Sequence, residues 1–223
     1  TASYGQYLPE KVLKMPLKDS LNVHPSMLPA YRGATPMQSA LLNGDTKTGV
    51  SIIRMAKEMD AGPIYSQLQF PLDPDMRYPE LEQKCADIGA ELICSVIKNY
   101  HSMSPQDQDE SKATHCAKIN KEDGLVDWTK ETAEQIYNKL RAFTPWPGTY
   151  TNIKQQKLSL LDFSLHSGGS INPGTVFLSD ARICIQTHAG AIALNTVQLA
   201  GKKPTDIKSF LNGYPDFIGS TLQ

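Results

Sequence analysis

"LNVHPSMLPAYRGATPMQSALLNGDTKTGVSIIRMAKEMDAGPI", residues 21–64, decides the fold, because strand and helix patterns alternate within it at short spacing. The residue before a proline avoids the helical region, so LNVH reads as a short buried strand stopped by Pro25. GATPMQSALLNG (33–44) reads as a helix, with Thr35 to cap it, Pro36 in its first turn and Gly44 at a left-handed exit. TGVSIIRM (48–55) is apolar and β-branched, which predicts a strand buried on both faces of a mixed or parallel sheet. PIYSQLQFPL (63–72) reads as the next strand. From Tyr78 to Tyr100, Leu81, Cys85, Ile88, Leu92, Val96 and Tyr100 recur at three- and four-residue steps, the spacing of an amphipathic helix. Strand, helix, strand, strand, helix is the back half of an open α/β sheet.

The texture changes beyond that helix. Residues 101–116 are polar and aperiodic and read as a linker, with its core at 105–116. TAEQIYNKLRAF (132–143) pairs Thr132 with Gln135 in a capping box and carries an apolar face of Ile136, Leu140 and Phe143, and TPWPG (144–148) breaks it. TYTNI, KLSLLDF, GTVFL, ARICIQT and GAIALNTVQL then follow as short strands divided by Gly and Pro, the pattern of a small barrel or sandwich. Two domains are expected, 1–104 and 117–223. The opening TASYGQYLPEKVL lacks an initiator Met and starts as if in mid-strand, so the first domain is expected to be partial, without its N-terminal half.

Composition excludes several classes. The net charge of −1 offers no bulk attraction to nucleic acid or to a membrane surface. Lys and Arg outnumber Asp and Glu only after residue 112, so the second domain is the better candidate to meet a polyanion. Cys85, Cys94, Cys116 and Cys184 form no C-x-x-C pair and read as buried free thiols of a reducing compartment. No apolar run reaches membrane-spanning length, and a cytoplasmic protein is expected. His101, His115, His166 and His188 have no partner spacing and receive no role, and no metal site is expected.

Asn22 and His24 carry the chemistry. Residues two apart on a strand face the same way, and Pro25 sets this pair at the carboxyl end of a strand, where ligands of open α/β sheets bind. An amide donor beside a titratable imidazole suits acyl transfer, although polar side chains satisfied at a strand end would look the same. Asp60, in MAKEMDAGPIY, is by itself an ordinary turn residue. If the flanking strands are neighbours, its loop shares a sheet edge with His24, and its carboxylate favours the charged imidazolium.

At these residues the chain resembles the folate-dependent formyltransferases, and within them the branch that acts on charged initiator tRNA. The Asn-x-His of the family is matched by Asn22 and His24, and its Asp by Asp60 within DAGPI. The Ser-Leu-Leu-Pro segment is matched by Ser26, Met27, Leu28 and Pro29, with Met in place of one Leu. RAFTPWPGTY and QLAGKKPTDIKSFLNGY resemble the C-terminal domain of that branch.

The resemblance implies an α/β fold, the C-terminal half of a Rossmann-like formyltransferase domain followed by an OB-like β-barrel. It implies 10-formyltetrahydrofolate as donor and the amino group of methionyl initiator tRNA as acceptor, with catalytic Asn22, protonated His24 and Asp60. The folate is expected along Gly5, Gln6, Tyr7 and Leu8, the loop 57–60, and Ser26, Met27, Leu28 and Pro29. Lys118, Lys121, Lys139, Arg141, Lys154, Lys157, Lys202 and Lys203 are expected to supply phosphate contacts, Trp128 and Trp146 to pack or to stack on a base, and the protein to be a monomer. Amino-sugar nucleotide formyl transfer and a non-catalytic tRNA- or folate-binding fragment are the alternatives.

Overall fold

Proline and glycine punctuation sets the order of elements. The computed structural model describes residues 1–3 and 8–222, which divide into two units, Thr1–Lys118 and Ile119–Gln223. The first carries α1 (Glu10–Leu13), β1 (Leu21–His24), β2 (Arg32–Gly33), α2 (Pro36–Leu42), β3 (Lys47–Arg54), β4 (Ile64–Pro71), α3 (Tyr78–Asn99) and β5 (His115–Cys116). The second carries α4 (Ala133–Phe143), β6 (Tyr150–Ile153), β7 (Gln156–His166), β8 (Val176–Ser179), β9 (Arg182–Gln186), β10 (Ala191–Leu199), β11 (Thr205–Asp206) and α5 (Ile207–Gly213).

The sheet of the first unit runs β1-β3-β4, and these three strands pair antiparallel, with Leu21 opposite Arg54 and His24 opposite Ser51. With the parallel bridge at the outer edge of β1 the sheet is mixed, one of the two arrangements expected for β3, although both direct neighbours of β3 are antiparallel. The loop 55–63 between β3 and β4 is too short for a crossover connection and closes a hairpin instead. A parallel neighbour does appear at the other edge of β1, where Ala2 bridges Val23 and the Val23 amide donates to the Thr1 carbonyl at 3.0 Å.

Burial of β3 on both faces, from Thr48 to Ile53, is as its composition predicts. One face is covered by α3, whose Gly89 packs so closely that an added Cβ would lie 2.6 Å from Val23 Cγ1. The other is covered by the loop after β1, where a Cβ on Gly49 would lie 2.4 Å from Met27 Sδ. Helix α3 buries Leu81, Cys85, Gly89 and Val96, while Ile88, Leu92 and Tyr100 stay half-buried. Thr35 takes the N-cap position of α2, but its hydroxyl donates to the Ala117 carbonyl at 2.6 Å and does not cap the helix. The thiols divide: Cys85 and Cys184 are buried, Cys116 is half-buried and Cys94 is exposed.

Residues 105–116 do not form a free linker. Gln106 exchanges both backbone hydrogen bonds with Ile64 at 2.8 Å, Thr114 accepts from the Arg32 amide, and β5 pairs in parallel with β2. Their polar side chains satisfy buried partners of the first unit, which explains a composition that lacks apolar periodicity.

The second unit is an antiparallel sheet in the order β6-β7-β10-β9-β8, with β11 beside β10. Helix α4 packs Ile136 and Leu140 against Leu158, Leu160, Phe163, Ile192 and Leu194 in one core. Trp128 belongs to that core and donates its indole N–H to Thr151 Oγ1 at 3.0 Å, whereas Trp146 is 54% exposed. The capping box of α4 forms as its sequence predicts. The Gln135 amide donates to Thr132 Oγ1 at 3.2 Å, and the Thr132 amide donates to Gln135 Oε1 at 2.9 Å. Thr132→Ala should therefore cost about 1 kcal/mol, read as a lower denaturant midpoint at unchanged slope.

Candidate active site

His24 is the last residue of β1 and is 4% exposed. Its Nε2 lies 3.0 Å from the carbonyl oxygen of Tyr31. A carbonyl only accepts, so Nε2 carries a hydrogen, and the neutral ring exchanges its proton at Nδ1. Nδ1 lies 3.6 Å from Asp60 Oδ2, close enough for strong charge coupling and too far for a direct hydrogen bond.

Burial is the largest influence on this imidazole and holds its pKa below the ordinary 6.5, while the Asp60 carboxylate and the Tyr31 carbonyl pull in the opposite direction. The expectation that Asp60 keeps His24 charged is thus corrected: desolvation outweighs the carboxylate, and the resting ring is neutral near pH 7.

Asp60 reaches His24 by a route that the strand pattern does not reveal. The antiparallel register places the root of its loop beside Leu21, at the opposite end of β1 from His24. The loop turns back tightly, since a Cβ on Gly62 would lie 1.7 Å from the Arg54 carbonyl oxygen. Asp60 itself adopts a left-handed backbone (φ 53°), and its Oδ2 accepts from the Gly33 amide at 2.9 Å. Tyr31 is also left-handed (φ 61°), and its hydroxyl lies 2.7 Å from Asp45 Oδ2. Both groups that hold the imidazole therefore come from strained non-glycine residues, a pattern common at functional sites.

Asn22 stands half-buried two residues before His24. Its Oδ1 accepts from Thr1 Oγ1 at 2.8 Å, which leaves the side-chain nitrogen as the donor of this amide.

The expected folate wall is only partly accessible. Ser26 and Leu28 are buried at 0% and 4% exposure. Ser26 donates to the Ala30 carbonyl, and Gln67 Nε2 donates to the Leu28 carbonyl at 2.8 Å. Met27, Pro29 and Leu8 are half-buried, while Gly5, Gln6 and Tyr7 lie outside the described residues. Among the described residues no group of three or more His, Cys, Asp or Glu side chains could hold a metal ion, and no helix is long and apolar enough to cross a membrane.

Of the expected basic contacts, two are withdrawn from the surface. Arg141 is 4% exposed, and Lys139 is paired with Glu131 at 2.6 Å and donates to the Leu125 carbonyl. Lys118, Lys121, Lys154, Lys157, Lys202 and Lys203 are exposed. Sequence reasoning missed Tyr31, Arg32 and Gln108 as supports of the site, and Arg32 sat in the open as a cation inside the chemistry-bearing stretch.

As pH falls, the unfolded chain protonates its imidazole before the folded one does, so His24 contributes stability above about pH 6.5 that is lost progressively below it. His24→Gln should flatten the decline of Tm between about pH 7 and pH 5. Thermal melts across that range check this, and an unchanged slope would contradict a buried neutral ring.

The chain matches two family models, "Formyl transferase" over residues 1–97 and "Formyl transferase, C-terminal domain" over residues 118–215. It is 37% identical to the methionyl-tRNA formyltransferase of Treponema denticola, over 97% of this chain and 70% of that one. It is 39% identical to the methionyl-tRNA formyltransferase of Herpetosiphon aurantiacus, over 96% of this chain and 71% of that one. Among solved structures, HypX from Aquifex aeolicus in complex with tetrahydrofolic acid superposes with a TM-score of 0.71 at 20% identity, over 97% of this chain and 38% of that one. At that identity the likeness is one of fold.

Proposed function

The chain belongs to the formyltransferase family, and we propose that it transfers a formyl group from 10-formyltetrahydrofolate to the amino group of methionyl initiator tRNA, for translation initiation. The observation that carries this reading is the arrangement around His24: a buried neutral imidazole, its Nε2–H spent on Tyr31, its Nδ1 turned to Asp60, and an amide donor two residues away.

When bound, the folate supplies the formyl carbon. Asn22 Nδ2 donates to the formyl oxygen as negative charge gathers there in the attack by the methionyl amine. His24 Nδ1 takes the proton that the amine loses on forming its bond to carbon, and the Asp60 carboxylate stabilises the imidazolium for as long as it lasts. The same proton then passes to the folate nitrogen as its bond to the formyl carbon breaks, and the ring returns to the neutral form. These steps need no protonated His24 at the start, in agreement with its burial.

Met27, Pro29 and Leu8 present the folate-facing side in this reading, with Ser26 and Leu28 fixing the loop from behind. The second unit is read as an OB-like tRNA-binding domain. Its exposed Lys154, Lys157, Lys202 and Lys203 gather at one end of the sheet, where the Ala200 amide donates to the Lys157 carbonyl at 2.9 Å and joins the two turns.

Protein mixed with 10-formyltetrahydrofolate and charged initiator tRNA should yield formylmethionyl-tRNA. Asn22→Ala or His24→Ala should lower kcat by about 10²–10³, with little change in folate affinity by fluorescence titration. Near-wild-type turnover in either variant would remove the assignment. Replacing Lys154, Lys157, Lys202 and Lys203 with Ala should weaken tRNA binding and reduce its salt slope by about one for each phosphate that is no longer neutralised. Filter binding at several salt concentrations measures this, and an unchanged slope would move the tRNA footprint elsewhere.

A further inference from the structure

Gln108 lies in the stretch whose polar composition reads as a linker, yet it uses its whole side chain against the Asp60 loop. Its Nε2 donates to the carbonyl oxygens of Asp60 and Gly62, both at 2.7 Å. Its Oε1 accepts from Arg32 Nε at 3.1 Å and Nη2 at 2.8 Å. Arg32 is 3% exposed and turns its remaining edge to Glu110, with Nη1 and Nη2 donating at 2.9 and 2.7 Å. The next residue, Gly33, donates its amide to the Asp60 carboxylate. Gln108 and the Arg32–Gly33 strand therefore hold Asp60 from two sides, one by its backbone and one by its side chain.

This double hold has a physical purpose. A left-handed backbone is disfavoured for a non-glycine residue and persists where its surroundings over-determine it. Without the Gln108 amide, two carbonyls of a tight turn lose their donor, and the turn is released toward ordinary backbone. The Oδ2-to-Nδ1 spacing of 3.6 Å is the quantity such a release changes.

We propose that Gln108, seated on buried Arg32, is a positioning residue for the reaction: it pins the Asp60 turn in its left-handed form and so fixes the distance of the Asp60 carboxylate from His24 Nδ1. The inference rests on the formyl-transfer reading for its consequence in turnover, and on the geometry alone for its consequence at His24. The charged and titratable groups around the clamp are Asp60, Arg32, Glu58 and Glu110, with Asp109 and His115 beside Glu110 and Asp45 against Tyr31, and a neutral replacement of Gln108 changes none of them.

The test uses Gln108→Met, which keeps side-chain length and removes every hydrogen bond, with Gln108→Glu, which keeps the acceptor for Arg32 and loses the donor to the loop. His24 is titrated by NMR on the ring carbons, which requires no turnover. Because the carboxylate raises the proton affinity of the ring, the His24 midpoint should fall by about half a pH unit or more in Gln108→Met. In the same variant kcat should fall roughly ten- to a hundredfold with KM for tRNA near its wild-type value.

A folded Gln108→Met protein whose His24 titrates as in wild type overturns the proposal. If that variant fails to fold, Gln108→Glu decides: His24 and kcat unchanged from wild type overturn the proposal, and a kcat loss with KM retained supports it. Wild-type protein that binds folate without forming product, yet shows the Gln108-dependent shift of His24, would defeat the formyl-transfer reading and leave the positioning role standing.

Discussion

One imidazole between a carbonyl and a carboxylate is the constraint that the first unit serves. His24 is buried on a short strand, and a buried ring with two nitrogens needs a defined partner for each. Tyr31 supplies an acceptor that fixes the tautomer, and Asp60 supplies a charge at the distance of a weak ion pair. A full hydrogen bond from Nδ1–H to the Asp60 carboxylate would hold the proton more tightly on Nδ1. No carboxylate at all would leave the imidazolium without a counter-charge in a desolvated site. The observed spacing lies between these extremes, which suits a group that accepts a proton and gives it up within one turnover.

Much of the architecture around this ring exists to bring Asp60 to it. Antiparallel pairing of β3 with β4 is imposed by a short connection, and that pairing sends the Asp60 loop out beside the wrong end of β1. The chain recovers the distance with a tight turn that only Gly62 can occupy, a left-handed Asp60, and two anchors on β2 and Gln108. Strain at Tyr31 and Asp60 is offset by hydrogen bonds drawn from residues far along the chain. Thr114 Oγ1 accepts from the Tyr31 amide at 2.9 Å, and Asn43 donates to the Tyr31 hydroxyl at 2.8 Å.

Local patterns were legible wherever one physical rule governed them. Pro25 ended β1 where the steric rule for residues before proline demands, and the Thr132–Gln135 box opened α4 as its side chains require. Asn22 and His24 were legible because strand alternation is local, and Asp60 because the resemblance marked it. What escaped was non-local. Strand direction depended on loop length, which an apolar run does not encode. Partners of Arg32 lie more than seventy residues away in a segment whose aperiodic polarity looks like solvent-exposed chain. The charge state of His24 escaped for a related reason: proximity to Asp60 is suggested by sequence, but the depth of burial that overrides it emerges only from packing.

The 105–116 segment shows why aperiodic polarity is a poor sign of freedom. A linker and a clamp share a composition, since both lack an apolar face. They differ in where their hydrogen bonds go. Here the amide of one glutamine meets two loop carbonyls, its oxygen meets a buried guanidinium, and a threonine meets the backbone of the strained tyrosine. Burying Arg32 is costly unless its donors are met. Glu110 and Gln108 meet four of them, and both belong to this one segment. Displacing the segment would therefore strand a buried cation and release the Asp60 turn in the same event, so the integrity of the clamp and the geometry at His24 rise and fall together.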